Sequence, residues 1–185
     1  MAEKEWAEEL VSNVAAEVKR IRKREKISIR ILSERTTELG YPIGESVLSN
    51  FEYGRRGAKL DVAELLVLAA ALDVPPALLL FPRYPDGPAE YLPNRTSSAF
   101  DATRWLAGEV GLTDSGEVKD GDRMVVRARD RNTRKESLPH LVGQLAQAES
   151  DDQRKFWQGQ VEQTEKIIRI QNREMRNEGG TVNDG

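Results

Sequence analysis

The segment from Gly44 to Gly54 constrains the fold more than any other part of the chain. On a helix, its inward-turning residues would be Val47 or Leu48, Phe51 and Glu52. The turn before it, Tyr41-Pro42-Ile43-Gly44, contains a proline that cannot continue a helix and a glycine that starts the next one without a side-chain clash. The pattern therefore predicts a short helix over 44–53, entered by a sharp turn, with one buried face and one polar face.

The outward side of this segment carries short polar side chains that can hydrogen-bond to the edges of bases. They are Glu45, Ser46, Ser49 and Asn50. Asn can pair bidentately with adenine, Ser can bond to several bases, and Glu can accept from the cytosine amino group. Nearby phosphate repels Glu45 unless it finds such a donor. This face predicts a helix that lies in the major groove of double-stranded DNA.

Cations surround the segment, although the whole chain carries a formal net charge of -3. A whole-chain sum hides the local distribution of charge, which sets the field that a phosphate meets. The stretch from Lys19 to Arg35 is strongly basic. The residues expected to contact phosphate are Arg55 and Arg56, just past the helix, with Arg30, Lys23 and Lys26. A solvated helix face is the alternative interpretation of such a run of charge.

Further helices are predicted around this segment from apolar residues that recur at three- and four-residue steps. They cover Ala2 to Lys26, Ile29 to Leu39, Val62 to Leu72 and 77–81. Ser28 and Asp61 are the expected N-caps, and Gly40 ends the second helix. The residues expected to be buried include Val14, Val18, Ile21, Ile31, Leu32, Leu39, Leu65, Leu66, Leu68, Ala69 and Leu72.

Four stretches carry a family resemblance: Arg22, Ser28 to Ser33, Val47 to Arg56, and Leu65 to Val74. Through them, residues 14–81 resemble the five-helix DNA-binding domain of the xenobiotic-response-element (XRE) family, a fold shared with lambdoid phage repressors. The resemblance implies base reading by the four polar residues above and an internal ion pair between Arg22 and Glu52. The chain departs from the family at Ile29, where a Gln usually touches phosphate, and in 36–44, which is a few residues longer than usual.

The second half of the chain changes in composition after Pro82. Residues 83–98 are rich in Pro and Gly and predict an ordered but irregular linker. Tyr84 to Pro88, Leu92-Pro93 and Trp105 to Glu109 are similar to actinobacterial XRE regulators and actinophage immunity repressors. The predicted class is all-α, with a lambda-repressor-like helix-turn-helix domain over 1–82, the linker, a mainly helical domain over 99–178 and a disordered tail over 179–185.

Three helices are predicted in the C-terminal part. They cover Ala99 to Glu109, Leu138 to Glu149, and Asp152 to about Glu178. The first has Ser98 as its cap and is anchored by Phe100, Trp105 and Leu106. The last is capped by Ser150 or Asp151. The last helix is expected either to fold back on its predecessor or to join a homodimer. Residues 111–136 fit a strand or a helix. Their basic cluster is either a second DNA contact or a loop, and consists of Arg123, Arg127, Arg129, Arg131 and Arg134.

Several function classes are disfavoured by what the chain lacks. It has no cysteine, and its single histidine, His140, has no second ligand type at metal-binding spacing. We therefore expect no cofactor, no metal, no small-molecule ligand and no membrane span, in a cytoplasmic protein. Ala107-Gly108 resembles the cleavage site of self-cleaving repressors, but the chain after it lacks the β-rich segment and the placement of Ser and Lys that such a protease needs, so the dipeptide is interpreted as a helix C-cap. The expected protein is a non-enzymatic repressor that binds a DNA operator, and a phage immunity repressor is one form of it. The alternative is an antitoxin or adaptor that binds a partner protein.

Overall fold

The fold is described from a computed structural model that covers residues 2–57, 59–112 and 120–183. The described residues form eight helices and one two-stranded sheet: α1 Ala2–Arg24, α2 Ile29–Glu38, α3 Glu45–Glu52, α4 Val62–Ala71, α5 Pro76–Leu80, β1 Pro88–Leu92, β2 Arg95–Ser98, α6 Ala99–Leu106, α7 Asp120–Ala146 and α8 Asp151–Asn177. The chain divides into two compact units, Met1–Leu106 and Ala107–Gly185. The protein is mainly α-helical, as expected, with a small sheet added.

Helices α1 to α5 share one apolar core. Its fully buried side chains come from all five helices and include Val14, Val18, Leu32, Leu48, Phe51, Leu68 and Leu79. Burying each such side chain contributes about 1.5–3 kcal/mol, so these residues fix the mutual packing of the five helices. Both predicted N-caps are present: Ser28 Oγ accepts from the Ile31 amide at 3.1 Å, and the Asp61 carboxylate accepts from the Glu64 amide at 2.7 Å.

Two leucines predicted to be buried are exposed. Leu39 is 51% exposed because it is the C-cap of α2, where Gly40 at φ +84° turns the chain away. Leu66 is also 51% exposed. It lies on the same side of α4 as the exposed Val62, about 200° around the helix from the buried Leu68. The apolar content of α4 thus exceeds what one buried face can hold.

A β-hairpin replaces the irregular linker predicted for 83–98. Strands β1 and β2 pair antiparallel, with Pro88 opposite Ser98 and Glu90 opposite Thr96, and Asn94 at φ +63° lies in the turn. Asparagine tolerates this left-handed conformation, and a proline at the first position of a strand costs no interior ladder bond. The prediction of irregular structure was wrong because the Pro and Gly residues lie at the ends of a hairpin.

The hairpin and α6 belong to the first unit. A second small cluster of buried residues joins Phe81, Ala89, Ala99 and Ala102, and the Tyr91 and Trp105 rings lie 5.1 Å apart. The expected anchors Phe100 and Leu106 are instead 45% and 48% exposed. On α6 the small alanines face the cluster and Trp105 packs on Tyr91, whereas Phe100 and Leu106 point outward.

The N-terminal part of α1 also contacts the hairpin. The indole Nε1 of Trp6 donates a hydrogen bond to the Glu90 carbonyl at 3.1 Å. A cavity of about 230 Å³ lies beside this contact, with Arg83 and Asn13 among its lining residues. The hairpin is therefore tied to the first helix as well as to α6.

The second unit is built on an antiparallel pair of long helices. Helix α7 runs without a break through Pro139, although a separate helix from Leu138 had been predicted. A proline removes one backbone donor, and the rest of the α7 ladder continues past it. Ser150 caps α8 by accepting from the Gln153 amide at 3.2 Å, and Gln171 of α8 donates to Asp130 of α7 at 2.5 Å. Of the two alternatives predicted for the last helix, the structure shows that it folds back on its predecessor.

The tail was predicted to be disordered over 179–185, but its first residues are in contact with the helices. The Gly180 amide donates to the Met175 carbonyl at 2.8 Å, and Arg131 Nη2 donates to the Asn183 carbonyl at 3.1 Å. Residues 184 and 185 lie outside the described part. Within the described ranges, no helix combines the length and the apolar character needed to cross a bilayer.

Candidate nucleic-acid interface

Helix α3 presents a polar face to solvent and an apolar face to the core. Glu45, Ser46 and Asn50 are exposed and Ser49 is half-buried, whereas Leu48 and Phe51 are each 1% exposed. Val47, the alternative inward residue, is 37% exposed, so Leu48 fills the inward position. The structure thus brings the four predicted base-reading side chains onto one accessible face. This face can offer a bidentate amide, two hydroxyls and a carboxylate to a ligand.

A pair of α2 hydroxyls fixes the start of α3, a feature that the sequence analysis missed. Ser33 Oγ donates to the Ile43 carbonyl at 2.7 Å, and Thr36 Oγ1 accepts from the Ile43 amide at 3.0 Å. Thr36 is fully buried and also donates to the Ser33 carbonyl at 2.8 Å. Ile43 is therefore held at both of its backbone groups, immediately before the N-cap Gly44. The segment before α3 is therefore anchored at its end, next to the helix.

The structure contains the ion pair between Arg22 and Glu52. Arg22 Nε and Nη2 donate to the two carboxylate oxygens at 2.6 and 2.7 Å, and Nη1 donates to the Ile27 carbonyl at 2.8 Å. The hydrogen bonds to Glu52 raise the pKa of Arg22 above its ordinary value. The Glu52 side chain is 1% exposed, so this bidentate pair satisfies a buried charge while tying α1 to α3.

The predicted phosphate-contacting cations differ in their availability. Arg56 pairs with Glu64 at 2.9 Å and its side chain is only 26% exposed, so a carboxylate already offsets its charge. Arg30 pairs with Glu34 at 2.6 Å on the surface. Arg55, Lys23 and Lys26 are exposed. Of the two arginines after α3, Arg55 is therefore better placed for a phosphate.

An exposed tyrosine at the end of α3 collects two cations. Lys19 Nζ of α1 lies 4.1 Å from the centroid of the Tyr53 ring, and Arg55 Cζ lies 5.6 Å from it. Tyr53 is 61% exposed. The basic run of α1 gave a signal for Lys19, but its approach to a residue of α3 depends on helix packing that the sequence does not display.

The second basic cluster is engaged within its own unit. Arg127 contacts Glu174 at 3.2 Å and Glu178 at 2.6 Å, and its hydrogen bond to Glu178 raises its pKa. The other contacts are Arg129 with Glu109, Arg134 with Asp130 at 3.0 Å, and Arg131 with the Asn183 carbonyl. Arg123 is exposed. These contacts favour a structural role for Arg127, Arg129, Arg131 and Arg134 over a second DNA contact.

His140 and the Ala107-Gly108 dipeptide, which the sequence singles out for other chemistry, both lie in the described part of the chain. No group of three or more potential metal ligands is found there, and His140 is exposed. Gly108 has φ +70° just after α6, the conformation of a helix C-terminus, as interpreted for the Ala107-Gly108 dipeptide. Comparison of the chain with protein-family models, with curated proteins and with solved structures gave no match. What can be inferred of its function therefore rests on the geometry of α3 and its surroundings.

Proposed function

We propose that this protein is a sequence-specific, double-stranded DNA-binding transcriptional regulator whose helix α3 reads the major groove. The observation that carries the proposal is the polar face of α3, Glu45, Ser46, Ser49 and Asn50, held in place by a buried apolar face. A major groove about 12 Å wide admits one helix. Rigid support matters because a bidentate contact to a base tolerates little change in helix position.

The surroundings of α3 support the same role. Three exposed cations lie close in sequence to α2 or α3: Lys23 and Lys26 precede α2, and Arg55 follows α3. From these positions they can contact phosphates on either side of a groove. Five helices, α1 to α5, precede the hairpin, a number that supports the XRE resemblance, and in this proposal α2 and α3 form the helix-turn-helix. Within that family we favour a repressor acting in the cytoplasm, a phage immunity repressor being the narrower form.

The direct test is a binding titration on duplexes selected from a random-sequence pool. Asn50→Ala should weaken binding by about 1–3 kcal/mol and relax the preference at one base pair, whereas Arg55→Ala should weaken binding to all sequences by similar factors. Gln158→Ala, an exposed polar truncation in the second unit, is the matched control and should change neither. Equal effects of Asn50→Ala on every duplex would remove the base-reading role.

A second candidate function is an antitoxin or adaptor whose helix α8 binds a partner protein. It is favoured by the exposure of Phe156 and Ile170, which are 57% and 36% exposed on α8. A homodimer through the same helices would cover these residues without a foreign partner. Purification from the native cell with a stoichiometric small protein would support the adaptor, whereas a self-associating protein without a partner would support the dimer.

A further inference from the structure

The site that this inference concerns is centred on Tyr53, the residue that follows α3. A large aromatic side chain that is 61% exposed at the end of a helix buries little apolar surface, so core packing does not account for it. Its ring instead faces two cations, with Lys19 Nζ at 4.1 Å and Arg55 Cζ at 5.6 Å from the centroid. Two separate elements, α1 and the segment after α3, therefore each place a positive charge next to the Tyr53 ring.

Within the described residues, the two cations at Tyr53 have no carboxylate partner, as Lys23 and Lys26 have none, whereas the nearest arginines of α1 and of the segment after α3 do. Three nearby arginines are each paired with a carboxylate: Arg20 with Glu17 at 2.5 Å, Arg22 with Glu52 at 2.6 Å, and Arg56 with Glu64 at 2.9 Å. Across residues 2–57, 59–112 and 120–183, neither Lys19 nor Arg55 forms an ion pair. A ring face attracts a cation but leaves its N–H donors free to bind an anion.

We propose that Lys19, Tyr53 and Arg55 together bind a phosphodiester group of the DNA backbone. This inference rests on the proposed function and assigns the phosphate contact at the C-terminal end of α3. The carbonyl end of a helix repels an anion, so more than one cation is needed to make this position attractive. Tyr53 supplies the common surface that keeps a lysine from α1 and an arginine from the next segment together.

The proposal also separates two arginines that are adjacent in sequence. Arg55 faces the tyrosine without a carboxylate, whereas Arg56 turns to Glu64 of α4. A contact at this end of α3 would fix the helix along the groove, because the polar residues of its N-terminal turn lie at the opposite end. The phosphate site would thus position the base-reading face without reading sequence itself.

The test measures how the affinity of the full chain for duplex DNA depends on salt. Two probes are used, a duplex selected from a random-sequence pool and a duplex of arbitrary sequence. Lys19→Met should make the slope of log affinity against log salt shallower by about 1 on both probes. Arg169→Met, which removes the same charge from the second unit, is the matched control and should leave the slope unchanged.

Two variants of Tyr53 test its role as the common surface. Tyr53→Leu keeps both cations but removes the ring, and should weaken binding to both probes about two- to five-fold. Tyr53→Phe keeps the ring face and should bind as the unsubstituted chain does. Because Tyr53 is exposed, both variants should keep their helical circular dichroism.

Three results would overturn the phosphate site. They are an unchanged salt slope for Lys19→Met, an unchanged affinity for Tyr53→Leu, and an equal slope change for Arg169→Met. If the unsubstituted chain prefers its selected duplex while any of these occurs, only the phosphate site is lost and the proposed function stands. If the unsubstituted chain binds neither duplex, the proposed function fails and this site fails with it.

Discussion

At the scale of single residues, Ile43 shows how the entry of α3 is fixed. Its side chain is 5% exposed, its amide is bonded to Thr36 and its carbonyl to Ser33. A buried amide without a partner is costly, so the Thr36 hydroxyl is needed for more than its shape. The hydroxyls of one helix thus specify where the next one begins.

Thr36→Val is expected to destabilise the first unit by about 1–3 kcal/mol, because the isosteric side chain leaves the buried Ile43 amide unpaired. Urea unfolding followed by circular dichroism measures the change. Thr36→Ser keeps the hydroxyl and should lose less stability than Thr36→Val. Thr37→Val, at an exposed position one residue further, is the control. A Thr36→Val variant as stable as Thr37→Val would show that this hydrogen bond is dispensable.

Residue-level prediction from sequence succeeded where the partners are near in the chain. Ser28 and Asp61 each cap an amide three residues away, a local pattern that a sequence displays. The bonds from Ser33 and Thr36 span ten and seven residues across a turn, and their formation depends on the path of that turn. Sequence spacing alone could not reveal them.

At the scale of elements, the tie between α1 and α3 is electrostatic as well as apolar. The Arg22 and Glu52 side chains are 11% and 1% exposed, and together they bridge thirty residues of sequence. Burial makes each charge costly alone, and the two hydrogen bonds between them offset that cost. The position of α3 in the unit, and with it the direction of its polar face, depends on both partners being present.

Glu52→Leu is expected to destabilise the protein by about 3–5 kcal/mol, because it leaves Arg22 charged and partly buried without its carboxylate. The double variant Arg22→Met, Glu52→Leu should recover a large part of this loss, since no buried charge remains. Chemical unfolding of the four proteins in the cycle measures the coupling. Arg24→Met, at an exposed pair with Glu25, should change little. Additive losses in the double variant would contradict an energetic coupling between the pair.

Prediction of whole elements worked best in the first eighty residues, where caps, turns and apolar steps agree. It was incomplete at α7, because residues 111–136 fitted either a strand or a helix and only Leu138 to Glu149 was assigned to a helix. It was wrong at β1 and β2, because Pro and Gly were taken as signs of irregular structure. In both places tertiary contacts override the local signal. Gln171 and Arg127 hold α7 against α8, and Tyr91 packs the hairpin against Trp105.

At the scale of the whole molecule, the chain consists of two units with different kinds of stabilisation. The first unit has a continuous apolar core drawn from five helices. In the described part of the second unit, the buried apolar side chains are Ala148, Ile168 and Met175, and polar contacts such as Gln171 to Asp130 lie between its helices. The second unit should therefore respond more strongly to changes in charge.

Asp130 gives this difference a pH signature. Hydrogen bonds from Arg134 and then from Gln171 lower the pKa of Asp130 below its ordinary value. A lowered folded-state pKa stabilises the fold above the unfolded pKa of about 3.9, and this stabilisation is lost as the pH falls through the folded pKa. The unsubstituted protein should be more stable than Asp130→Asn at neutral pH, and the difference should shrink below about pH 4.

Hydrogen exchange read separately on peptides from the two units measures this effect. The difference between Asp130→Asn and the unsubstituted chain should appear in peptides of α7 and α8. Peptides of α2 and α3 are the internal control. A difference that stays constant as the pH falls through the acidic range would contradict the role of the Asp130 carboxylate.

The most direct test of the central claim, base reading by α3, pairs a change in the protein with a change in the major groove. In the selected duplex, each adenine in turn is replaced by 7-deazaadenine, which lacks the N7 acceptor that an asparagine amide can contact. At one position this replacement should weaken DNA binding by the unsubstituted chain but should not further weaken DNA binding by Asn50→Ala. If every replacement weakens DNA binding by both proteins equally, or if no replacement weakens binding by either protein, Asn50 of α3 does not read the major groove.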